Sequence, residues 1–194
     1  MVVAIFSDGD AAHVAPWGGR RVCGLCRRRS RDGGQRTVYR VRHGSLGSLH
    51  ALKVLDVGSP TVRARLVQEG RVQAQLRHPN VVMVTDLVDV GGSPGLIMEY
   101  VPGPTLEVWL RANRPDPEVA ARIFDGVLDA VTFAHENGLV HRDLKPGNVL
   151  LETVNGRLHA KVTDFGLAKV LGPEGAGRTR SGFAMGTPGY MAPE

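Results

Sequence analysis

His141-Arg142-Asp143-Leu144-Lys145-Pro146-Gly147-Asn148 is the stretch on which the reading of this sequence turns. Either aspartate or asparagine alone would pass as an ordinary turn residue. Their setting is what gives them weight. Upstream, Asp116 reads as a helix cap with Pro117 at the first position, an apolar stripe follows at Val119, Ile123, Val127, Val131 and Ala134, and Gly138 stops the helix. Downstream, residues 149–154 and 157–162 flank Asn155-Gly156, the strongest short-range hairpin signal. A second carboxylate triplet, Asp164-Phe165-Gly166, comes straight after that hairpin.

Working toward the N-terminus, Val38, Tyr39 and Val41 predict a strand, Gly44 to Gly47 a turn, and Leu49 to Leu55 a second strand. Ser59 and Pro60 open a helix with Val62, Leu66, Glu69, Gln73 and Leu76 on one face. Two of those five are polar, and an inward glutamate is costly unless a cation meets it. His78-Pro79-Asn80 ends the helix; Val81 to Val90 and Gly95 to Tyr100 predict two strands around Gly91-Gly92-Ser93; residues 102–104 are a breaker. Residues 1–30 show no period, and little order is expected of them.

Composition adds boundaries rather than identity. The chain of 194 residues is 42% hydrophobic and 22% charged, as for a soluble globular domain, and its net charge of +5 is concentrated at Arg27, Arg28, Arg29 and Arg31. No aromatic side chains interleave with those arginines, so they read as a solvated basic segment and not as a nucleic-acid surface. Cys23 and Cys26 form a lone C-x-x-C without the second pair a zinc site needs, and are read as binding no metal. No apolar run is long enough to span a bilayer, and a cytoplasmic location is the expectation.

Taken together, His141 to Asn148, Asp164-Phe165-Gly166 and the closing Ala192-Pro193-Glu194 resemble the protein kinase family from about Arg31 to Glu194: its catalytic loop, metal-binding triplet and end of the activation segment. Leu144-Lys145-Pro146 is the serine/threonine form of the loop. The resemblance implies an α+β, two-lobed fold, with a small antiparallel sheet plus helix as N-lobe and a mainly helical, incomplete C-lobe. The implied parts are an unpatterned segment at 1–30, an N-lobe at 31–98, a hinge at 99–104 and a partial C-lobe at 105–194. It implies ATP and Mg²⁺ as cofactors, and a protein substrate bearing a Ser or Thr hydroxyl.

The resemblance also carries roles to individual residues. Asp143 would orient the substrate hydroxyl and take its proton, and Lys145 would sit against the transferred phosphate. Asn148 and Asp164 would hold metal, for which hard oxygen ligands suit Mg²⁺. Lys53 would meet the α- and β-phosphates with Glu69 as its ion-pair partner, which accounts for the polar residue on the helix's inner face. Met98 falls at the gatekeeper position, Glu99 to Val101 at the hinge, and Val38, Ala51 and Leu150 around the adenine ring. Of the family's glycine-loop pattern, Gly33 and Gly34 are present, while Arg31 and Arg36 stand where glycine is usual; a looser lid, or non-native text upstream such as a shifted frame, would produce this. Gln73 occupies a position that is usually apolar, in a stack with Val84, Phe165 and His141. Thr179 and Ser181 are the expected phosphorylation sites, with Arg142 as their dock and Arg178 and Arg180 sharing the charge. Thr187 is expected to be structural. The alternative reading is a truncated or pseudokinase-like nucleotide-binding module without activity of its own. As written, the chain is expected to be poorly stable and to show little or no kinase activity, because nothing follows Glu194 to pair with its carboxylate or to cover the apolar surface of the Val119 to Ala134 helix.

Overall fold

The computed structural model describes the backbone of residues 3–5, 13–17, 20–23, 26–29, 36–44, 46–55, 59–165 and 187–190, with side chains from residue 38 onward in those stretches, Pro188 excepted. Two compact units account for the chain, Met1–Gly70 with Val84–Tyr100, and Arg71–Met83 with Val101–Glu194.

In the first unit, β1 (Val3–Ile5), β2 (His13–Trp17), β3 (Arg20–Cys23), β4 (Cys26–Arg29), β5 (Arg36–His43), β6 (Leu49–Leu55), β7 (Val84–Val90) and β8 (Ser93–Glu99) form one sheet in the order β2-β3-β1-β5-β6-β8-β7, with β4 also on β5. The sheet is larger than the small one the sequence predicts, and residues 1–30 contribute four strands where little order is expected. A backbone ladder needs no side-chain period. The outer edge of β5 presents N–H and C=O groups to any extended neighbour, and it is shared between β4, which pairs at 37–40, and β1, which pairs at 41–43. The β1–β3 contact is parallel, so the sheet is not purely antiparallel.

Register in the central strands sets which residues share a face. Val38 lies opposite Lys53, Lys53 opposite Leu96, and Ala51 opposite Met98. Side chains alternate along a strand, so Val38, Ala51, Lys53, Leu96 and Met98 all fall on one side. On the other side Val41, Leu52 and Ile97 form a core with Tyr39, Val54, Val88 and Val90. The helix α1 (Pro60–Gln73) approaches the Lys53 side. A Cβ on Gly70 would stand 2.9 Å from side-chain carbons of both Leu87 and Leu96, so glycine there permits the close approach. Arg63 of α1 pairs with Asp89 and donates to the Gly92 carbonyl, tying the helix to the β7–β8 turn.

The second unit holds α2 (Leu106–Ala112), α3 (Pro117–Glu136), β9 (Val149–Val154) and β10 (Arg157–Val162). Asp116 caps α3 by accepting from the Val119 N–H at 2.8 Å, and Gly138 takes φ +73° beyond its end. The hairpin pairs residue for residue from Val149↔Val162 to Val154↔Arg157, with Asn155 and Gly156 at φ 51° and 74° as a two-residue turn of this kind requires. Helix α2 carries no signal that the sequence reading used; Thr105 caps it through the Val108 N–H.

Two expectations shift. The strand predicted from Val81 begins at Val84, because the preceding residues bond β10 instead: Val82 N–H to the Val162 carbonyl at 2.8 Å, and Val162 N–H to the Asn80 carbonyl at 2.7 Å. In α3 the fully buried line is Ile123, Gly126, Ala130 and Ala134, with Val119 and Val127 partly buried beside the same core. Small residues win that line because the helix rides close to the hairpin; a Cβ on Gly126 would meet Asn80 Nδ2 at 2.8 Å and Ala160 at 3.4 Å. Leu76, Val81, Leu139, Val149, Leu151, Val162 and Phe165 complete this core.

Candidate active site

The loop between α3 and β9 is held by its own backbone before any side chain acts. Residues Pro146–Asn148 make one 3₁₀ turn, with the Asn148 N–H on the Lys145 carbonyl at 2.9 Å. That turn brings the buried Asn148 amide back onto Asp143: Nδ2 donates to the Asp143 carbonyl at 2.7 Å and stands 3.4 Å from Oδ2. Both carboxylate oxygens of Asp143 are engaged. Thr187 Oγ1 donates to Oδ1 at 2.8 Å, and Lys145 Nζ lies 3.3 Å from Oδ2. The Thr187 hydroxyl in turn accepts from Lys145 Nζ at 3.0 Å, closing a three-residue ring.

Burial pushes the Asp143 carboxyl up, but the Thr187 hydroxyl, the Lys145 ammonium and the Asn148 amide together outweigh it and hold the group below the ordinary carboxylate range. The side chain is 16% exposed, enough to be reached from outside. It is an ionised, oriented acceptor.

His141 ties the Asp143 loop to Thr163, the residue before Asp164. The His141 ring is buried, donates from Nε2 to the Thr163 carbonyl at 2.8 Å and accepts the Asp143 N–H at Nδ1, 3.3 Å away. This is the neutral tautomer protonated on Nε2. Burial is the largest influence and pushes its pKa down, against the Thr163 carbonyl and the Asp164 and Asp143 carboxylates, which pull it up. Phe165 packs a tilted ring against His141 at 4.7 Å. Arg142 and Asp164 adopt φ 66° and 70°, left-handed conformations that side chains rarely take, so the residue before Asp143 and the residue before Phe165 are turned by the fold and not by local preference.

In the first unit, Lys53 sits on β6 at 3% exposure, and Glu69 is half-buried on α1. Leu96, the ladder partner of Lys53, packs against Gly70, next to Glu69. Met98 is buried on the same side of the sheet, with Ala51 and Val38 half-buried. In the second unit Val101 is buried and Leu150 half-buried, the latter bridged to Thr105. Gly33, Gly34, Thr179, Ser181 and the closing Ala192-Pro193-Glu194 lie outside the described residues, and the side chains of Cys23 and Cys26, on β3 and β4, do too. Sequence reasoning did not find the Thr187–Lys145–Asp143 ring or the bond from Gln73 to Phe165. The resemblance marks Thr187 as structural and stacks Gln73 with Phe165, but it gives neither the bonds of the Thr187 hydroxyl to Asp143 and Lys145 nor the bond of the Gln73 amide to the Phe165 carbonyl.

Comparison with known proteins gives the family. The family model described as the protein kinase domain matches residues 32–194. The chain is 41% identical over 155 residues to the serine/threonine-protein kinase PkaA of Streptomyces coelicolor, covering 78% of this chain and 28% of that protein. It is 39% identical over 178 residues to the serine/threonine-protein kinase Pkn1 of Myxococcus xanthus, covering 89% and 25%. The chain thus spans about a quarter of the length of these curated relatives. Among solved structures, a double-mutant PknI kinase domain from Mycobacterium tuberculosis superposes with TM-score 0.64 at 31% identity, over 75% of this chain and 60% of that one. Rad53 in complex with AMP-PNP superposes with TM-score 0.62 at 26% identity, over 77% and 40%.

Proposed function

We propose a function from one established premise: this chain belongs to the protein kinase domain family, with serine/threonine kinases as its curated relatives. The function is transfer of the γ-phosphate of Mg-ATP to a Ser or Thr hydroxyl of a protein. What carries it is the Asp143 carboxylate, ionised, partly exposed and held through both oxygens by Thr187 and Lys145.

Phosphoryl transfer passes through a loose transition state, so a kinase works by placing reactants and balancing charge more than by strong base chemistry. A carboxyl held below its usual range suits that task. Asp143 accepts a hydrogen bond from the incoming hydroxyl, fixes its oxygen in line, and receives its proton late, a contribution of about 10² to 10⁴-fold in rate. Lys145 supplies positive charge beside the same carboxylate, where the transferred group would gather negative charge. Its second contact, to the Thr187 hydroxyl, orients the ammonium beside that carboxylate.

For the metal, the donor set fits Mg²⁺. Asp164 offers carboxylate oxygens, and Asn148, with its amide nitrogen committed to Asp143, turns its amide oxygen the other way. Among the described residues no cluster of three or more His, Cys, Asp or Glu forms a closed metal cage. None is needed, since Mg²⁺ in such sites takes one or two protein oxygens together with phosphates and water. When bound with ATP it neutralises charge on the phosphate oxygens. Lys53, buried on the sheet face that carries Ala51, Val38 and Met98, is assigned to the α- and β-phosphates, with Glu69 holding its orientation and the three apolar residues, Val101 and Leu150 lining the adenine. Glu99 completes the hinge segment, and Gly33 and Gly34 the phosphate-covering loop.

Thr179 and Ser181 are assigned as regulatory phosphosites docking on Arg142, an exposed residue next to Asp143 whose backbone takes φ 66°. No helix among the described residues is long and apolar enough to cross a membrane. Transfer of labelled γ-phosphate to a mixed Ser/Thr peptide pool tests the activity: Asp143→Asn is expected to remove most turnover while leaving ATP affinity within about twofold. Near-normal turnover in that variant refutes the assignment. Mass spectrometry of active protein with neither Thr179 nor Ser181 modified refutes the phosphosites.

A further inference from the structure

Gln73 ends α1 with a side chain 6% exposed, and its Nε2 donates to the main-chain carbonyl of Phe165, the residue after Asp164. We propose that Gln73 is a positioning residue for Asp164, a buried amide latch that holds the Asp164-Phe165 backbone in the conformation presenting the Asp164 carboxylate to metal. The proposal rests on reading Asp164 as a metal ligand.

Three observations carry it. Asp164 stands at φ 70°, a backbone state that an L residue leaves readily unless its neighbours are fixed. On the N-terminal side that fixing is visible: the Thr163 carbonyl accepts from His141 Nε2 at 2.8 Å, and the Thr163 N–H bonds the Asn148 carbonyl at 2.9 Å. On the C-terminal side the Phe165 ring is buried and tilted against His141, but a ring can stay in its pocket while the peptide beyond it turns. Among the described residues, the bond from Gln73 to the Phe165 carbonyl is what holds that peptide. Packing alone would be met by a hydrocarbon chain of the same length; an amide in this burial is explained by the carbonyl it satisfies, since a buried carbonyl deprived of its donor is destabilised. Outer groups that orient a metal ligand typically change metal affinity by about 10 to 100-fold when removed.

The test is Mn²⁺ binding to the chain–ATP complex, followed by electron paramagnetic resonance, for the wild type, Gln73→Met, Gln73→Asn and Asp164→Asn. Gln73→Met keeps length and volume and removes the donor. It is expected to weaken Mn²⁺ binding about tenfold or more, with metal-free ATP affinity within twofold of wild type. Gln73→Asn keeps the amide but withdraws it by one methylene, and is expected to weaken Mn²⁺ binding in the same direction; it stands in if the Met variant does not fold. Wild-type Mn²⁺ affinity in a folded Gln73 variant overturns the latch, as does an equal loss of metal-free ATP binding, which would mark general loosening. Should Asp164→Asn bind Mn²⁺ as the wild type does, it is the metal-ligand reading of Asp164 that fails. Loss in Asp164→Asn without loss in Gln73→Met overturns the latch alone.

Discussion

Thr187 donates its hydroxyl hydrogen to Asp143 Oδ1 at 2.8 Å across 44 residues of chain, and accepts one from Lys145 Nζ at 3.0 Å. One small hydroxyl thereby bridges the carboxylate and the ammonium, which also meet directly at 3.3 Å. Replacing it by Val keeps the shape and removes both bonds. Hydrogen bonds to charged groups contribute about 1.5 to 3 kcal/mol, so kcat of Thr187→Val is expected to fall by about 10 to 100-fold. Thr187→Ser should retain most of it. Steady-state kinetics on the pair checks this; equal loss in both variants points to the methyl group and not to the hydroxyl.

The depressed Asp143 carboxyl predicts a pH profile. Its ordinary value is 3.8 and the folded value lies lower, so the group is ionised at every pH where the protein is assayed. Its contribution to stability is present above the unfolded value and lost as pH falls through the folded one. An acid limb of kcat/KM from Asp143 is therefore expected only below about pH 4. Lys145→Met removes a cation that holds the carboxyl down, and should move that limb to higher pH whatever it does to the absolute rate. A limb that stays in place in Lys145→Met would show that the ammonium does not set the charge state of Asp143.

His141 makes the opposite demand on a cation. Its folded pKa lies below the ordinary 6.5, because burial disfavours the imidazolium. The unfolded chain then binds the proton more readily, so stability is full above about pH 6.5 and declines as pH falls below it. His141→Gln keeps a donor for the Thr163 carbonyl without a titrating ring. Denaturant unfolding at pH 7 and pH 5 is expected to show a smaller loss of stability in the variant than in the wild type. Equal losses would place the pH dependence elsewhere.

Gly103 has no room for a side chain. A Cβ there would fall 1.6 Å from the Leu151 carbonyl oxygen, and that strand end is fixed by the Leu151 N–H on the Pro104 carbonyl at 2.9 Å. Backbone must move to admit even a methyl group, so Gly103→Ala is expected to destabilise the second unit by about 3 kcal/mol or more. Thermal melting within a degree or two of wild type would mean the segment shifts at little cost.

What the sequence determined by itself is what depends on near neighbours. Asn155-Gly156 adopt positive φ wherever they stand between strand formers, Asp116 caps the turn it begins, and Gly138 ends α3, so the hairpin and long helix were legible with their boundaries. The octad around Asp143 and the triplet at Asp164 were legible because their residue types are scarce in that order. The tertiary structure decided everything whose partner lies far along the chain. Residues 1–30 carry no side-chain period, yet four strands form there because ladder bonds use only backbone and one strand recruits the next. Gly126 reads as a weak spot in a helix until Asn80 and Ala160 are seen against it. Gln73 reads as a misplaced polar residue until the Phe165 carbonyl is seen at its end, 92 positions on. Periodicity and turn chemistry are properties of a few consecutive residues, whereas a buried polar contact exists only once the fold has brought two distant stretches within hydrogen-bond reach.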